Sequence, residues 1–461
     1  MSKVIFFLSF FILCFNCIET VSADDYDEIL EDKFLMEIYN GNIDSVALFL
    51  ELGVSPNSTD LLDNSALIYA VQGGYEEIAA LLIDAGADIN HAGYLGRTPL
   101  IEAARFNYFE LGELLCLYNA KINIADSYGN TAMHYAVANG DFFFVDMLFY
   151  FGAEANWQNN YDATPLHIAA WYGHEEIAGL LIHEGAVVDI RDSRGNTPLI
   201  VAALNYDVEM LWYLTESGAD ILAQNDAAYD ALSIAALKRD YYMMDFILGY
   251  EVTREEYPDK YKSPAGIAIY YQDNEMKKII REHEELKPSG LFFTHFLFEP
   301  LFNFNNKDFM FGAQAGIIES RYNFALFAGF ESRLSPRRVI VEDDENLFLQ
   351  YWENRRAWFI SLKKHHNLFS AENLSFGVSY GIKGAYTYGS YEGSDKSPES
   401  KFLAVPFGGI YVGNDWFRIY SDYEYMNTGL NPIPNNRYKI SIQFRIPLYN
   451  LKYNDAHYIV L

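Results

Sequence analysis

A 33-residue period is the strongest constraint that this sequence places on its fold. Four threonines that each precede Pro or Ala recur at this interval: Thr98, Thr131, Thr164 and Thr197. The register continues in both directions through four further polar residues: Asp32, Ser65, Asp230 and Ser263. It therefore predicts eight units across residues 24–287. Because a unit of this size cannot bury its own apolar face, we expect the units to stack.

Each unit carries the signals of two short helices. Thr164 is suited to cap a helix, and Pro165 suits the first helical position because it has no N–H group to lose. Gly173 and Gly185 are placed to end the first and second helices. Between them lies an apolar stripe at helical spacing: Ile177, Leu180 and Leu181. The pattern predicts paired antiparallel helices.

The unit from Asp162 to Ala186 reads DATPLHIAAWYGHEEIAGLLIHEGA. Its Thr-Pro-Leu-His motif, paired alanines, Gly-His, Leu-Leu and Gly-Ala resemble the ankyrin repeat family. The resemblance covers about 260 residues and implies an α-helical solenoid that binds proteins or peptides. It also implies that contacts lie at the loop tips and on the inner face of the first helices.

These positions give the candidate binding residues. The positions expected on an exposed inner face are Tyr69, Glu102, Arg105, Phe106, Tyr135, Trp171 and Tyr172. The positions expected near the loop tips are Tyr94, Tyr128, Tyr161 and Arg194. Large aromatic side chains are enriched among the residues that dominate binding energy, so Trp171 and Tyr172 are the leading candidates. Packing between neighbouring units is the alternative role for these aromatic residues.

The formal charge of −30 belongs entirely to the repeat region. Residues 24–287 contain 15 Lys and Arg against 45 Asp and Glu, whereas residues 288–461 contain 17 of each class. A surface this acidic repels phosphate backbones, so nucleic acid is not expected as a partner. We expect a basic protein or peptide whose association weakens as salt rises.

No catalytic, metal or cofactor site emerges from the repeat region. His134 and His167 occupy equivalent places, where the resemblance implies local hydrogen bonds within the Thr-Pro-Leu-His turn. They have no further ligands at zinc-like spacing, and no carboxylate pair suggests acid–base chemistry. Cys116 lies in an apolar run and is expected to be a buried small hydrophobe. The chain is therefore not expected to be an enzyme.

Residues 1–23 have the features of a cleavable export signal. A positive start is followed by the apolar run Val4–Phe15 and by the small residues Val21, Ser22 and Ala23. The apolar core is too short to span a bilayer as a helix. Cleavage would leave Cys116 as the only cysteine and no internal disulfide.

Beyond Ser289 the apolar pattern changes to a period of two. In Tyr438–Leu448 the apolar face alternates with a face that carries Lys439, Ser441, Gln443 and Arg445. The same alternation predicts an antiparallel β-barrel of about eight strands. The predicted strands are 291–301, 308–319, 322–333, 354–363, 373–388, 400–413, 416–427 and 437–448. Strands of about ten residues suit a bilayer crossed at a tilt.

The connections distinguish a membrane barrel from a soluble one. Turns at 319–321 and 413–415 are short, whereas Leu334–Glu353 and Gly389–Glu399 are long and polar. Alternating short turns and long loops resemble an outer-membrane β-barrel, with both chain ends in the periplasm. Five inward charges are expected to satisfy one another: Arg418, Asp422, Glu424, Lys439 and Arg445.

The resulting prediction is an exported two-domain protein. An ankyrin-repeat solenoid over residues 24–287 lies in the periplasm, and a barrel over 288–461 contacts outer-membrane lipid. The tail 449–461 departs from barrels that end on their last strand, so it is an extra strand or a docked extension. The alternatives are a secreted protein with a soluble barrel or β-sandwich, a lipid-modifying enzyme using His295, His365 or His366, and a passive pore, for which eight strands are too narrow.

Overall fold

The computed structural model shows two compact units, one before and one after residue 253. The residues that the structure describes are 23–250, 257, 259–283, 291–304, 309–334, 337–342, 348–371, 374–392, 394–395, 397–398, 400–414, 416–424 and 437–448. The predicted export signal, apart from Ala23, and the tail 449–461 lie outside them. The predicted domain boundary at residue 287 stays a prediction.

Sixteen helices form eight consecutive pairs within the described residues. The pairs are α1 Ala23–Tyr39 and α2 Ile43–Glu51; α3 Ala66–Gln72 and α4 Glu76–Asp84; α5 Pro99–Phe106 and α6 Phe109–Leu117; α7 Ala132–Asn139 and α8 Phe142–Tyr150; α9 Pro165–Tyr172 and α10 Glu175–His183; α11 Pro198–Leu204 and α12 Val208–Glu216; α13 Ala231–Lys238 and α14 Tyr241–Leu248; α15 Pro264–Tyr270 and α16 Asn274–Glu282. The eight predicted units are thus eight helix pairs.

The 33-residue register marks the helix starts. Seven of its residues are N-caps of the first helix of their pair: Ser65, Thr98, Thr131, Thr164, Thr197, Asp230 and Ser263. Gly173 ends α9 with a left-handed backbone at φ 72°. Asp32 differs, because it lies inside α1, which starts nine residues earlier. The first helix is therefore longer than the register predicts.

The interior of the stack is built from small and aliphatic side chains on the first helices. Ala169 and Ala170 are fully buried, as are the equivalent pairs Ala103 and Ala104, and Ala235 and Ala236. Small side chains at these places let consecutive helix pairs approach closely. Cys116 is buried as predicted, and burial raises the pKa of its thiol to about 12. The thiol is therefore protonated and chemically quiet at neutral pH.

His134 and His167 complete capping boxes. The Thr131 backbone N–H donates to His134 Nδ1 at 3.2 Å, and His134 Nε2 contacts the Ala163 carbonyl of the next pair at 3.3 Å. Since Nδ1 of His134 accepts a hydrogen bond, the one ring proton of the neutral imidazole must lie on Nε2. A second proton, on Nδ1, would point at the Thr131 N–H group. Burial lowers the pKa of His134 to about 4. His167 repeats these contacts with Thr164 and Asn196. The predicted structural role is confirmed.

Nine strands follow within the part of the chain that the structure describes, and eight of them close into a barrel. The strands are β1 Phe293–Phe304, β2 Phe309–Glu319, β3 Phe324–Arg333, β4 Arg337–Glu342, β5 Phe348–Ala371, β6 Leu374–Glu392, β7 Lys401–Gly413, β8 Phe417–Glu424 and β9 Arg437–Pro447. Neighbours are antiparallel, β9 pairs with β1, and β3 pairs with β5 to close the ring. The predicted antiparallel eight-stranded barrel is confirmed.

One predicted loop is wrong in part. The segment Leu334–Glu353 contains β4 and the start of β5, which pair with each other from Arg337 opposite Glu353 to Glu342 opposite Phe348. Among the described residues, β4 pairs with β5 and with no other barrel strand. It therefore forms a hairpin that extends the barrel wall.

The two ends of the barrel differ. Short connections join β2 to β3, β5 to β6 and β7 to β8, and the first residue of β1 and the last of β9 lie at this end, which we call the turn end. The opposite end, the loop end, has the connections from β1 to β2, β6 to β7 and β8 to β9, and the segment between β3 and β5 that contains β4. The connections 393–400 and 425–436 are longer than those at the turn end, whereas only 305–308 separate β1 from β2 and only 334–336 separate β3 from β4. The predicted division into short turns and longer loops therefore holds only in part.

The last helix pair packs against the turn end within the same compact unit. Gln272 Nε2 donates to the Ser320 carbonyl at 2.8 Å, and Lys260 Nζ donates to the Leu291 carbonyl at 2.8 Å. The rings of Tyr270 and His295 stack with centroids 5.2 Å apart. These contacts join α15 and α16 to β1 and to the turn between β2 and β3.

We predict that His134 makes the stability of the helical region dependent on pH. Its pKa is lower in the folded state than in the unfolded chain, so stability falls as pH drops from about 6.5 to about 4, by about 3 kcal/mol. His134→Gln keeps a capping box without this titration. Urea unfolding followed by circular dichroism at 222 nm should show a smaller pH dependence in the variant. An identical dependence in both proteins would contradict this.

Candidate binding surface and barrel interior

The loops between helix pairs are held in a regular ladder. Backbone N–H groups of Ser127, Asn160, Ser193 and Asp226 donate to the carbonyls of the preceding loop tips, at Leu95, Tyr128, Tyr161 and Arg194, over 2.8 to 3.0 Å. In three of these loops an acidic or amide side chain accepts two backbone N–H groups: Asp126, Asn159 and Asp192. The loop tips are therefore fixed before any partner arrives, which lowers the entropy cost of binding.

The four predicted loop-tip residues lie on this ladder with accessible side chains. Tyr94, Tyr161 and Arg194 are exposed, and Tyr128 is half-buried. Since their backbones are engaged by neighbouring loops, contact with a partner is expected through their side chains. The structure brings these residues together as an edge along consecutive units.

Two predicted inner-face residues are not exposed. Glu102 is 3% exposed and its carboxylate pairs with Arg105 at 2.9 Å. Tyr135 is 4% exposed, and its hydroxyl donates to Asp126 at 2.6 Å. Burial and the Asp126 charge raise the pKa of Tyr135 to about 12. The expectation that both side chains are exposed is wrong, because Tyr135 satisfies the buried Asp126 and Glu102 is covered while it pairs with the partly exposed Arg105.

Tyr69 makes the equivalent contact at a less buried position. Its hydroxyl donates to Asp60 at 2.7 Å, and its ring meets that of Tyr39 edge to face. Burial and the hydrogen bond to Asp60 raise the pKa of Tyr69 to about 12. Part of its ring remains accessible.

Four predicted residues form the accessible part of the inner face. The Arg105 guanidinium lies 4.3 Å from the centre of the exposed Phe106 ring. Tyr172 is 45% exposed and stacks on His174 with ring planes 13° apart, while Trp171 is half-buried. Because Tyr172 is held by stacking, little side-chain freedom is lost if a partner covers it.

A pocket on the second helices is absent from the sequence prediction. It has a volume of about 420 Å³ and is lined by Phe142, Glu175, Glu176, Gly179 and Tyr213. Burial, followed by repulsion from Glu209 and Asp207, raises the pKa of Glu175. The local potential is therefore negative, as a cationic group would require. The spacing of Glu175 and Glu209, close to one repeat, is the sequence signal that could have indicated it.

The barrel separates its side chains by charge. The five predicted inward charges are all buried: Arg418, Asp422, Glu424, Lys439 and Arg445. Glycines in the barrel wall make room for these side chains. A Cβ atom at Gly409 would lie 2.6 Å from Oδ1 of Asp422, and one at Gly413 would lie 2.9 Å from Cγ of Arg418. The polar face is thus a filled interior, as the alternation predicts. The expectation that these five charges satisfy one another holds only in part: Lys439 pairs with Asp422, but Glu424 pairs with Lys383, and Arg418 has no carboxylate within ion-pair distance among the described residues.

Two balanced layers of ion pairs cross this interior. In the middle layer Lys363 lies 3.0 Å from Asp422 and 3.6 Å from Glu299, and Lys439 lies 3.8 Å from both carboxylates. In the layer nearer the loop end, Lys383 lies 2.9 Å from Glu424 and 3.4 Å from Glu331. Arg437 also reaches Glu331, at 3.4 Å. Each layer has two cations and two carboxylates.

Five of these eight groups are not among the charges that the sequence predicts to point inward: Glu299, Glu331, Lys363, Lys383 and Arg437. Glu299 lies in the run Phe-Leu-Phe-Glu-Pro-Leu-Phe, where both strand faces are apolar and the alternation is hidden. The charges of Lys363 and Glu331 were not assigned a direction. A signal existed, because Ser361, Lys363 and His365 share one face of β5 and all three are buried.

The outer surface of the barrel is apolar on every strand. Each barrel strand exposes at least one large apolar side chain near its middle or along its outer face: Phe298, Phe311, Leu326, Ile360, Ile382, Ile410, Ile419 and Ile440. A cavity of about 550 Å³ lies along this surface between Phe298 and Phe402. The interior combines the buried charges with two apolar clusters, formed by Leu297, Ile318, Ala325 and Phe327 and by Leu301, Phe359 and Ala385.

Comparison with protein families identifies the helical region. The family model described as Ankyrin repeats (3 copies) matches residues 34–126, 117–192 and 133–226. Residues 34–226 are ankyrin repeats. No curated protein matches the chain.

The ankyrin-repeat assignment accounts for the geometry. Its paired helices, threonine caps and projecting loops are those of the helix pairs α1 to α12, and pairs α13 to α16 keep the same caps at Asp230 and Ser263. Ankyrin repeats indicate protein–protein interaction, which makes the exposed edge and inner face the candidate binding surface. Among the described residues, no group of three or more His, Cys, Asp or Glu side chains is arranged to hold a metal ion.

We predict that the barrel depends on Lys383. Lys383→Met leaves Glu331 and Glu424 with less compensation in the interior and should destabilise the barrel by about 3 to 5 kcal/mol. Adding Glu424→Gln should recover part of this loss. Urea titration measures the free energy of unfolding of both variants. The folded fraction is read from the band that the folded barrel gives in an unheated detergent gel. Equal stability of Lys383→Met and the parent would contradict the ion-pair assignment.

Proposed function

We propose that this chain is a protein-binding ankyrin scaffold, exported and anchored to an outer membrane by its C-terminal barrel. The observation that carries the anchoring is the polarity of the barrel, with apolar side chains outside and paired charges inside. A ring of exposed aliphatic and aromatic groups is favourable against hydrocarbon and unfavourable against water. The proposed role is binding rather than catalysis.

The size of the barrel supports the same proposal. Among the described residues, each strand of the closed eight-stranded ring is paired on both sides, as a spanning structure in lipid requires, and β4 lies outside this ring. Its strands of 8 to 24 residues include the length needed to cross a bilayer at a tilt. Within the described part of the chain, no helix is both long and apolar enough to cross a membrane.

The direction of the barrel supports a periplasmic position for the repeats. In outer-membrane barrels the short turns face the periplasm and the longer loops face outwards. The chain enters β1 at the turn end, where α15 and α16 also pack. Export of the repeats to this compartment rests on the predicted signal in residues 1–23.

The partner proposed for the repeats is a basic protein or peptide. The repeat region has 45 acidic against 15 basic residues, and the pocket beside Glu175 has a negative potential. Exposed aromatic groups such as Tyr172 provide apolar contact area within this acidic surface. Charge steers the encounter, and the aromatic side chains provide specific contacts.

We predict that a charge on the outer barrel surface distinguishes lipid from water. Ile360 is 63% exposed and lies near the middle of the β3–β5 pairing. Ile360→Arg should cost about 2 to 4 kcal/mol if this position faces hydrocarbon. It should change stability by less than about 0.5 kcal/mol if the position faces water. Unfolding by urea in lipid vesicles provides the measurement.

Ile360→Ala is the matched control, because it removes apolar area without adding charge. Cell fractionation with a carbonate wash gives an independent result, since an embedded barrel stays with the membrane. Recovery of the folded chain in buffer without detergent, together with a neutral Ile360→Arg, would contradict membrane anchoring.

We predict that Tyr172→Ala weakens partner binding by at least about 1 kcal/mol, because an exposed, pre-positioned aromatic ring is lost. The matched control is Trp212→Ala, which removes a 50% exposed aromatic side chain from the second helix α12. Affinity capture from a periplasmic extract with the full-length chain, followed by titration of the captured protein, measures the effect.

Salt provides the second test of this surface. Affinity for a basic partner should fall as ionic strength rises, for the parent and both variants alike. If Trp212→Ala weakens binding and Tyr172→Ala does not, the contact face is on the second helices instead. An affinity that does not change with ionic strength would contradict the proposal of a basic partner.

A further inference from the structure

The turn end of the barrel interior carries cationic groups outside the two balanced layers. Arg418 and Arg445 are buried there together with His295 and His365. Leu297 lies opposite Arg445 across β1 and β9, and Gln443, two residues before Arg445, lies opposite Arg418 across β8 and β9. Arg418 and Arg445 therefore occupy neighbouring inward positions on the adjacent strands β8 and β9. The Cα atoms of these two positions are offset by about 6 to 7 Å along the strand direction.

Arg418 is the unusual member of this group. It is 5% exposed, yet its Nε and Nη1 donate no hydrogen bond among the described residues. Its guanidinium lies 4.9 Å from the centre of the Tyr411 ring. A buried guanidinium with unused donors carries a desolvation cost that a bound anion would offset.

His365 directs a second unused group into the same region. It is almost completely buried, its Nδ1 lies 3.3 Å from the Tyr420 hydroxyl, and its Nε2 has no hydrogen-bond partner among the described residues. Its ring centre is 5.8 Å from that of Tyr411, the same ring that Arg418 covers. The His365 imidazole and the Arg418 guanidinium therefore both lie beside the Tyr411 ring, on one side of the interior.

The nearby carboxylates are engaged elsewhere. Asp422 pairs with Lys363 and Lys439 in the middle layer. Glu319, at the turn between β2 and β3, accepts the backbone N–H groups of Phe292 and Tyr322 at 2.7 Å each. The positive charge of Arg418 therefore has no carboxylate within ion-pair distance among the described residues.

We infer that the turn end of the barrel interior binds an oxyanion of the phosphate class, with Arg418 as its main ligand and His365 as a hydrogen-bond donor. The charges of Arg418 and Arg445 act on both imidazoles, so an anion here meets positive potential from several sides. The unused Nε–H and Nη1–H groups of Arg418 can each donate a charge-assisted hydrogen bond to an oxygen of a phosphate group. The site is separate from the protein-binding surface of the repeats.

Equilibrium dialysis of the full-length chain in neutral detergent micelles against labelled inorganic phosphate tests this. Chloride replaces phosphate at equal ionic strength as the reference. We expect saturable binding of one phosphate per chain below about 10 mM, and at least about tenfold weaker binding in Arg418→Gln. Arg333→Gln, which changes a buried arginine paired with Glu353 near the loop end, should bind as the parent does.

Two results would overturn the site: no phosphate binding by the folded parent chain, or equal binding by the parent and Arg418→Gln. If Arg418→Gln does not show the folded band in an unheated gel, Arg418→Lys replaces it, since this variant keeps the charge and loses the paired donors. Micelles that contain phosphatidylglycerol distinguish the source of the phosphate. Displacement of labelled phosphate by this lipid indicates a headgroup, and its retention indicates a free anion.

Discussion

Pairing of β3 with β5 closes the sheet, and the arrangement of the C-terminal region depends on this closure. Once the ring is complete, alternate side chains of all eight strands are sealed inside, away from bulk solvent. Charges in such a place are tolerated only with nearby opposite charges, and two layers of two cations and two carboxylates meet that demand. The same closure sends the apolar alternate residues outwards, and the proposed contact with hydrocarbon follows from it.

The helical region obeys a different constraint. Each helix pair satisfies its own backbone ends with Thr, Ser or Asp caps, and each then relies on its neighbours to cover its apolar face. Polar groups link the units as well, through the backbone ladder of the loops and the imidazoles of His134 and His167. Because these contacts lie inside the stack and in the loop backbones, exposed side chains can be exchanged without loss of the fold.

Local signals made much of this fold predictable. A cap, a following proline and a terminal glycine act within a few residues, so the helix pairs could be placed from the repeat alone. The long-range partners could not, since Lys383 and Glu424 lie 41 residues apart and only the strand register brings them together. β4 escaped prediction because it pairs outside the closed ring, where no alternation between lipid-like and polar faces is imposed. Tyr135 and Glu102 were misjudged because the pattern gives a helix face but not the polar neighbour that covers it.

The packing of α15 and α16 on the turn end affects how the barrel can be separated from the rest of the chain. Hydrogen bonds from Lys260 and Gln272, together with the Tyr270–His295 stack, tie this helix pair to the β-structure within one compact unit. The boundary of that unit therefore lies before α15 and not at the first strand. A barrel transplanted onto another protein would have to carry this helix pair with it.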